Sequence, residues 1–411
     1  MADEIRPFKI NISDEELGNL NKKLALARIP DNVADAEWGE ENGVTVDFIR
    51  RTVEHWRSGY SWREQEAKLN EMPQFKTTIT LPSTNKAGQS FDPIEVHFAH
   101  VKATQKPAGG GDAIPLLFIH GWPGHFAEVQ KALPALTAAG FDVVSPSLMG
   151  YGWSSLPRQA GLNYFLQGDV FHRLMLRLGY DRYVLQGGDW GAIVARALSM
   201  QHPEHVVALH LNMPLTRDHP ELKPGDLEKF TEVEQAMIKR RESFMKYQSA
   251  YVQVQSTKPR TIGFALHDSP IGMLSWMADK MNVWSDLEKL PGGGYTADEY
   301  ITWTLLHYFP GPTTAMQMYR ANFSEQMQTT MTEPLTKMFA ANRVDIPVGV
   351  SQFPKEIGAS PKAWFEQENN LVFWRSHAKG GHFAAYEQPK EYAEDVIEFL
   401  TGQWKSLHQK L

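Results

Sequence analysis

Gly187-Gly188-Asp189-Trp190-Gly191 follows an apolar run and precedes a helix-like stretch, Ala192 to Met200. Glycines on both sides of Asp189 permit a sharp strand-to-helix turn that exposes the central side chain at the carboxyl end of a sheet, and a helix start favours negative charge there. Serine is the usual occupant of such an elbow; here the exposed group is a carboxylate. A serine attacking an alkyl carbon would leave a stable ether. A carboxylate leaves an ester whose carbonyl belongs to the protein and is open to water. The substrate is therefore expected to present a reactive sp³ carbon, as epoxides and alkyl halides do and amides and carboxylic esters do not. The plainer reading is that Asp189 only caps the helix that follows.

Two further segments supply what such a nucleophile needs. His120-Gly121-Trp122-Pro123-Gly124 comes directly after the apolar run Leu116 to Ile119, where an oxyanion-hole loop belongs, so the backbone N–H groups of Trp122 and Trp190 are the expected donors to an oxyanion at Asp189. His120 itself reads as a structural loop residue. Gly380-Gly381-His382-Phe383 follows the run Leu371 to Trp374, which makes His382 the expected general base, after the nucleophile in chain order. The base needs an acid to fix its tautomer. Glu356, in Phe353-Pro354-Lys355-Glu356, lies after the run Ile346 to Val350; Asp345 precedes that run and belongs at the opposite end of the sheet.

These groups must be carried by a scaffold whose strands end together. β-rich runs fall at 75–81, 93–99, 116–119, 143–144, 183–185, 206–211, 346–350 and 371–374, several of them almost wholly apolar. Such runs suit strands buried on both faces, and the helical patterns between them predict a largely parallel sheet in an α/β-hydrolase fold. The interval 215–340, rich in helix formers and aromatics, predicts an inserted helical lid. The chain then divides into an N-terminal extension with the first strands (1–105), a first core part (106–214), the lid (215–340) and a second core part (341–411). The chain is expected to open with a helix: Ser13 to Glu16 spell a capping box, and Leu17, Leu20, Leu24 and Leu26 give it an apolar face ending before Pro30. Residues 44–70, with Phe48, Val53, Trp56, Trp62 and Leu69, predict further helix that serves packing.

Composition removes several classes. A net charge of −7 opposes a phosphate-tracking surface, so nucleic acid is not an expected partner. The one tight basic cluster, Lys239-Arg240-Arg241, reads as a solvated helix face. With no cysteine there is no disulfide or thiolate metal site, which suits a reducing cytoplasm. No metal or cofactor is implied. No signal-like segment and no run of 18 apolar residues is present, so a soluble, cytoplasmic protein without a membrane anchor is expected. The sequons at Asn11 and Asn322 are short enough to be chance matches, and the triplets Gly109–Gly111 and Gly292–Gly294 read as loop points.

Taken with the stretch Trp56-Arg57, Trp62-Arg63-Glu64-Gln65, Leu69-Asn70 and Pro73-Gln74-Phe75-Lys76-Thr77, the motifs at 120–124, 188–191, 353–356 and 380–383 resemble those of the microsomal-type epoxide hydrolases over nearly the whole chain, in a form without the membrane anchor. The resemblance implies two lid tyrosines that hydrogen-bond the epoxide oxygen. Tyr251 and Tyr319 match them, with Tyr247 competing for the first role. It also implies a hydrophobic epoxide as substrate, a vicinal diol as product, and allows a homodimer. Trp122, Trp190, Phe244 and Phe323 are expected to line the pocket. The rival readings are a haloalkane dehalogenase, which shares the Asp nucleophile but needs halide donors in place of the phenols, and a non-catalytic binding protein on the same fold.

Overall fold

Apolar runs that tolerate water on neither face are accommodated only by a sheet covered on both sides. A computed structural model describes residues 4–31, 43–85, 87–217, 222–223, 225–323, 331 and 333–408. Among these, nine strands form one sheet: β1 (Arg6–Phe8), β2 (Gln74–Ile79), β3 (Ile94–Val101), β4 (Ile114–Ile119), β5 (Phe141–Pro146), β6 (Tyr183–Gly187), β7 (Val206–Leu211), β8 (Val344–Gln352) and β9 (Asn369–Ser376). Their spatial order is β1-β2-β3-β5-β4-β6-β7-β8-β9. β1, β2, β3 and β5 pair antiparallel, and every pair from β5 through β4 to β9 is parallel. The chain is an α/β-hydrolase fold, and each residue of β4 and β5 is buried, as the unbroken apolar character of β4 requires; in β5 the buried Asp142 accepts from the Ala103 amide and Ser145 donates to the Phe126 carbonyl.

Parallel pairing puts the carboxyl ends of the strands on one edge, and the register makes the alignment close. Ile119 pairs with Gly187, Gly187 with Leu211, Leu211 with Val350, and Val350 with Trp374. The loops after β4, β6, β8 and β9 therefore rise side by side. β4 has β5 on one side and β6 on the other, so the elbow after β6 and the loop after β4 flank the point where strand order reverses, the usual crevice of an open α/β sheet.

Among the described residues the first element is β1 and not a helix: a three-residue edge strand, too short to leave a periodic signal. The helix Asp14–Ala25 follows, with Ser13 as N-cap accepting from the Glu16 amide. Leu20 and Leu24 are buried on it, but Leu26 lies beyond its end and is 82% exposed. The helices Val46–Ser58 and Trp62–Leu69 bury Val53, Trp56, Trp62 and Leu69. Glu66 holds this segment by accepting from the Trp62 indole and the Ile12 amide.

Between β7 and β8 run the helices Glu232–Ser243, Ala250–Thr257, Pro259–Asp268, Pro270–Trp284, Ala297–Tyr308 and Pro312–Phe323. The N-terminal helices brace them: Phe48 packs edge-on to Tyr300, Trp62 to Phe309, and Tyr60 hydrogen-bonds Thr302. The helix Pro270–Trp284 buries Met273, Leu274, Met277, Met281 and Trp284, which seats the helical layer on the sheet edge that carries the loops. Among the described residues, no helix is long and apolar enough to cross a membrane.

Candidate active site

The elbow after β6 is shaped by backbone crowding. A Cβ on Gly191 would overlap the Ile119 carbonyl oxygen, so the helix Trp190–Gln201 can approach β4 only with glycine there. A Cβ on Gly121 would likewise overlap the Asp189 carboxyl. Asp189 adopts φ 51° and ψ −129°, an unfavourable region for a residue with a side chain, as expected of a strained elbow. It occupies the N-cap position, yet its side chain accepts nothing from the helix, so capping is not what that side chain does. Instead Asp189 Oδ1 accepts from the Trp122 amide at 2.8 Å. The Trp190 amide, at the first helical position, has no intrahelical acceptor.

The loop after β9 carries His382 to the other carboxylate oxygen. His382 Nε2 lies 3.3 Å from Asp189 Oδ2, while Nδ1 donates to Glu356 Oε1 at 2.8 Å. Glu356 Oε1 is fixed in turn by the amides of Ile357 and Gly358. Asp345 is remote, exposed and paired with Arg343. Burial disfavours the charged imidazole, but Glu356 and Asp189 together outweigh it and hold His382 well above the usual histidine range. Loss of the Asp189 charge should therefore lower it. In Asp189→Ala the His382 imidazole is expected to titrate at lower pH than in the parent, measured from its ring resonances by NMR. An unchanged titration would mean that Asp189 does not govern the base.

Tyr251 and Tyr319, from two helices between β7 and β8, pack against Trp122 and Trp190 beside Asp189. Tyr251 stacks on Trp122 (centroids 4.9 Å, 18°), Tyr319 stands edge-on to both Trp122 and Trp190, and the two phenol rings are 6.0 Å apart. Burial, then the nearby Asp189 charge, raises the Tyr251 phenol well above its ordinary value; for Tyr319, burial and then Tyr251 and Asp189 do the same. Both phenols are thus kept protonated and within reach of the Asp189 charge. Tyr247, 70% exposed, does not join them. Phe323 packs on Trp190 and Tyr319, and Phe244 on Tyr251 and Trp284. Beside Trp190 is an apolar cavity of about 350 Å³ lined by Tyr164, Ile193, Met213, Leu215 and Phe323.

His120 plays the structural part expected of it: Nδ1 donates to the Gly121 carbonyl and Nε2 accepts from the Leu148 amide, with burial lowering its pKa to about 3. Arg240 departs from the reading of a solvated basic face. It donates to the Lys355 and Val283 carbonyls, tying a lid helix to the loop that carries Glu356. Asn322 is engaged too, accepting from the Tyr164 amide and donating to the Met318 carbonyl within a buried setting.

Other contributors leave no sequence motif. Trp284 lies edge-on to His382 at 5.2 Å and beside Tyr251, and its carbonyl accepts from the His382 amide. Asp286 accepts from the Gly380 amide, and Glu387 accepts from the amides of Phe383 and Asp286. The segment 284–286 thereby clamps the loop that carries His382. Only the fold brings these residues within reach.

Comparison with known proteins places the whole chain. The family pattern described as "Epoxide hydrolase N terminus" matches residues 5–129, and that of the "alpha/beta hydrolase fold" matches 114–267. The chain is 33% identical to epoxide hydrolase 1 of Sus scrofa, across 97% of this chain and 89% of that protein. It is 34% identical to a putative epoxide hydrolase of Stigmatella aurantiaca, across 96% of this chain and 84% of that one. Among solved structures, the Aspergillus niger epoxide hydrolase superposes with a TM-score of 0.81 at 31% identity, covering 98% of this chain and 97% of its own. The juvenile hormone epoxide hydrolase of Bombyx mori gives 0.83 at 27% identity, with 98% and 95% covered.

Proposed function

The chain belongs to the epoxide hydrolase family of α/β-hydrolase fold, and from that premise we propose that it converts a hydrophobic epoxide and water to a vicinal diol in two steps on Asp189. In the first, a carboxylate oxygen of Asp189 attacks an epoxide carbon from the rear. The carbon–oxygen bond breaks, and the developing alkoxide takes a hydrogen bond and then a proton from the Tyr251–Tyr319 pair. This leaves a hydroxyalkyl ester and removes the Asp189 charge.

That loss of charge is what readies the second step. His382, no longer beside a carboxylate, is released toward its neutral form while Glu356 keeps Nδ1 protonated and Nε2 free. His382 Nε2 takes a proton from water, whose oxygen attacks the Asp189 carbonyl carbon. The oxyanion faces the Trp122 amide and, at the helix start, that of Trp190. Collapse expels the diol, with the proton His382 took from water, and leaves Asp189 as a carboxylic acid with one oxygen from water; loss of that acid's proton and return of one to the Tyr251–Tyr319 pair restore the carboxylate and the phenols. No metal or cofactor enters the scheme.

One observation carries this reading: Asp189 has a base on one carboxylate oxygen, an oxyanion donor on the other, and two buried phenols that feel its charge. The aromatic surround of the site, in which Trp122, Trp190 and Trp284 pack against Tyr251 and Tyr319, supports a hydrophobic substrate, and the cysteine-free composition supports the cytoplasm as the place of work. The helical interval 215–340 then serves as the lid that brings the phenols to the nucleophile.

The test is a single turnover of styrene oxide in water enriched with heavy oxygen. Label is expected in Asp189 after the first turnover and in the diol only after later ones. Label in the diol from the first turnover would mean that water opens the epoxide directly, against this proposal.

A further inference from the structure

Asp189 and His382 border a very small space of their own. It measures about 10 Å³, roughly the room one water molecule needs, and is bounded by Gly124, Glu128, Gly188, Asp189, His382 and Phe383. It holds the base and the nucleophile of the hydrolytic step, plus one titratable group with no role so far, Glu128.

Glu128 begins the short 3₁₀ turn Glu128–Lys131 after the oxyanion loop, its amide bound to the His125 carbonyl. It is 9% exposed. Its carboxyl lies across Gly124, where a Cβ would overlap Glu128 Oε2, so the absent side chain at 124 leaves the carboxyl its place. Burial, only partly offset by His382, raises its pKa to about 8; Asp189, Glu387 and Glu356 add to the rise. The buried Tyr392 hydroxyl, without a hydrogen-bond partner among the described residues, also feels the Glu128 charge. At neutral pH Glu128 is thus mostly an uncharged carboxyl, able to donate and to accept.

We propose that Glu128 is the second hydrogen-bond partner of the hydrolytic water, holding it between His382 Nε2 and the Asp189 carbonyl carbon. This rests on the two-step reading above. A water bonded only to His382 is free to swing about that bond. A second bond to Glu128 aims its lone pair at the ester carbon while one proton passes to His382, the carbonyl–alkoxy bond breaks, and the same proton leaves with the diol. Misplacing a reacting atom by about 1 Å costs about a hundredfold in rate, so the contribution is measurable.

Two variants remove the carboxyl in different ways. Glu128→Leu replaces it with an apolar group, and Gly124→Ala leaves it in the chain but pushes it out of the cavity. Stopped-flow tryptophan fluorescence with styrene oxide resolves ester formation from ester hydrolysis. In both variants, ester formation is expected within about threefold of wild type, while hydrolysis falls by about 10- to 100-fold. Glu128→Gln, which keeps a donor and an acceptor, is expected to restore hydrolysis to within about fivefold. If Glu128→Leu does not fold, Gly124→Ala and Glu128→Gln decide the matter. Unchanged hydrolysis in Gly124→Ala and Glu128→Leu would overturn the assignment, and so would an equal fall in both steps, which marks a structural role. Absence of an ester in the wild type would instead overturn the two-step reading itself.

Discussion

His382→Gln is expected to form the Asp189 ester at a rate within a few-fold of wild type while steady-state turnover falls by about 10⁴-fold, the upper end for a positioned acid–base group. Glutamine still reaches toward both carboxylates, so the nucleophile keeps its orientation. It takes no proton from water, so the ester has no efficient exit. Mass spectrometry of the peptide containing Asp189, after mixing with styrene oxide, should then show an adduct of the epoxide's mass on nearly every molecule. If no adduct accumulates and alkylation is lost in proportion to turnover, His382 acts in the first step and the division between the two steps is wrong. The prediction is sharp because His382 Nε2 is 3.3 Å from Asp189 Oδ2 and no other histidine of the described residues approaches that oxygen so closely.

The double variant Tyr251→Phe/Tyr319→Phe is expected to lose about 10³-fold or more in ester formation, with each single variant falling by much less. One missing donor to a developing oxyanion typically costs about 10²–10³-fold. The two phenols serve the same oxygen, so either one alone keeps part of the effect. Phenylalanine preserves the stacking of position 251 on Trp122 and the edge contact of position 319 with Trp190, so the pocket's shape is retained. Hydrolysis of a preformed ester, which uses His382 and Glu356, should be nearly unaffected. Wild-type alkylation in the double variant would remove the tyrosines from the mechanism and favour a substrate whose leaving group needs no proton, as a halide does.

The two step-specific losses separate the halves of the reaction, and the same separation describes how far the sequence could be read. Asp189, Trp122, His382 and Glu356 each sit in a short motif just after an apolar strand, and their spacing within that motif is imposed by local sterics. Gly191 is glycine because the Ile119 carbonyl leaves no room for a Cβ, and Gly121 because the Asp189 carboxyl leaves none. Constraints of that kind act within a few residues or across one strand pair and leave a pattern in the chain. The lid tyrosines leave none. They lie on two helices far apart in sequence, neither with a clear apolar stripe, and the resemblance to a family was needed to choose Tyr251 over Tyr247. Exposure then separates the two, 6% against 70%.

Where the chain's local pattern misleads, a contact across the fold or the end of a helix is the reason. Arg240 looked solvated because its neighbours in the chain are charged, but its guanidinium meets the Lys355 and Val283 carbonyls across the lid boundary. Leu26 looked like core because it continued a pattern, but the helix ends at Ala25 and nothing covers the residue beyond. Glu128 belongs to no motif in the chain, and only the closeness of Gly124, Asp189 and His382 gives it a place beside them.

What the sequence by itself determined is the parallel scaffold and the motifs that bring Asp189, the 120–124 loop, Glu356 and His382 to one edge of the sheet, because apolar runs and glycine-bounded turns are local demands of burial and backbone sterics. What only the tertiary structure decided is which side chains converge above and beside Asp189: the phenols, Trp284, the Asp286–Glu387 clamp and the carboxyl of Glu128. Convergence depends on strand order and helix packing over hundreds of residues, and no interaction between neighbours in the chain records it.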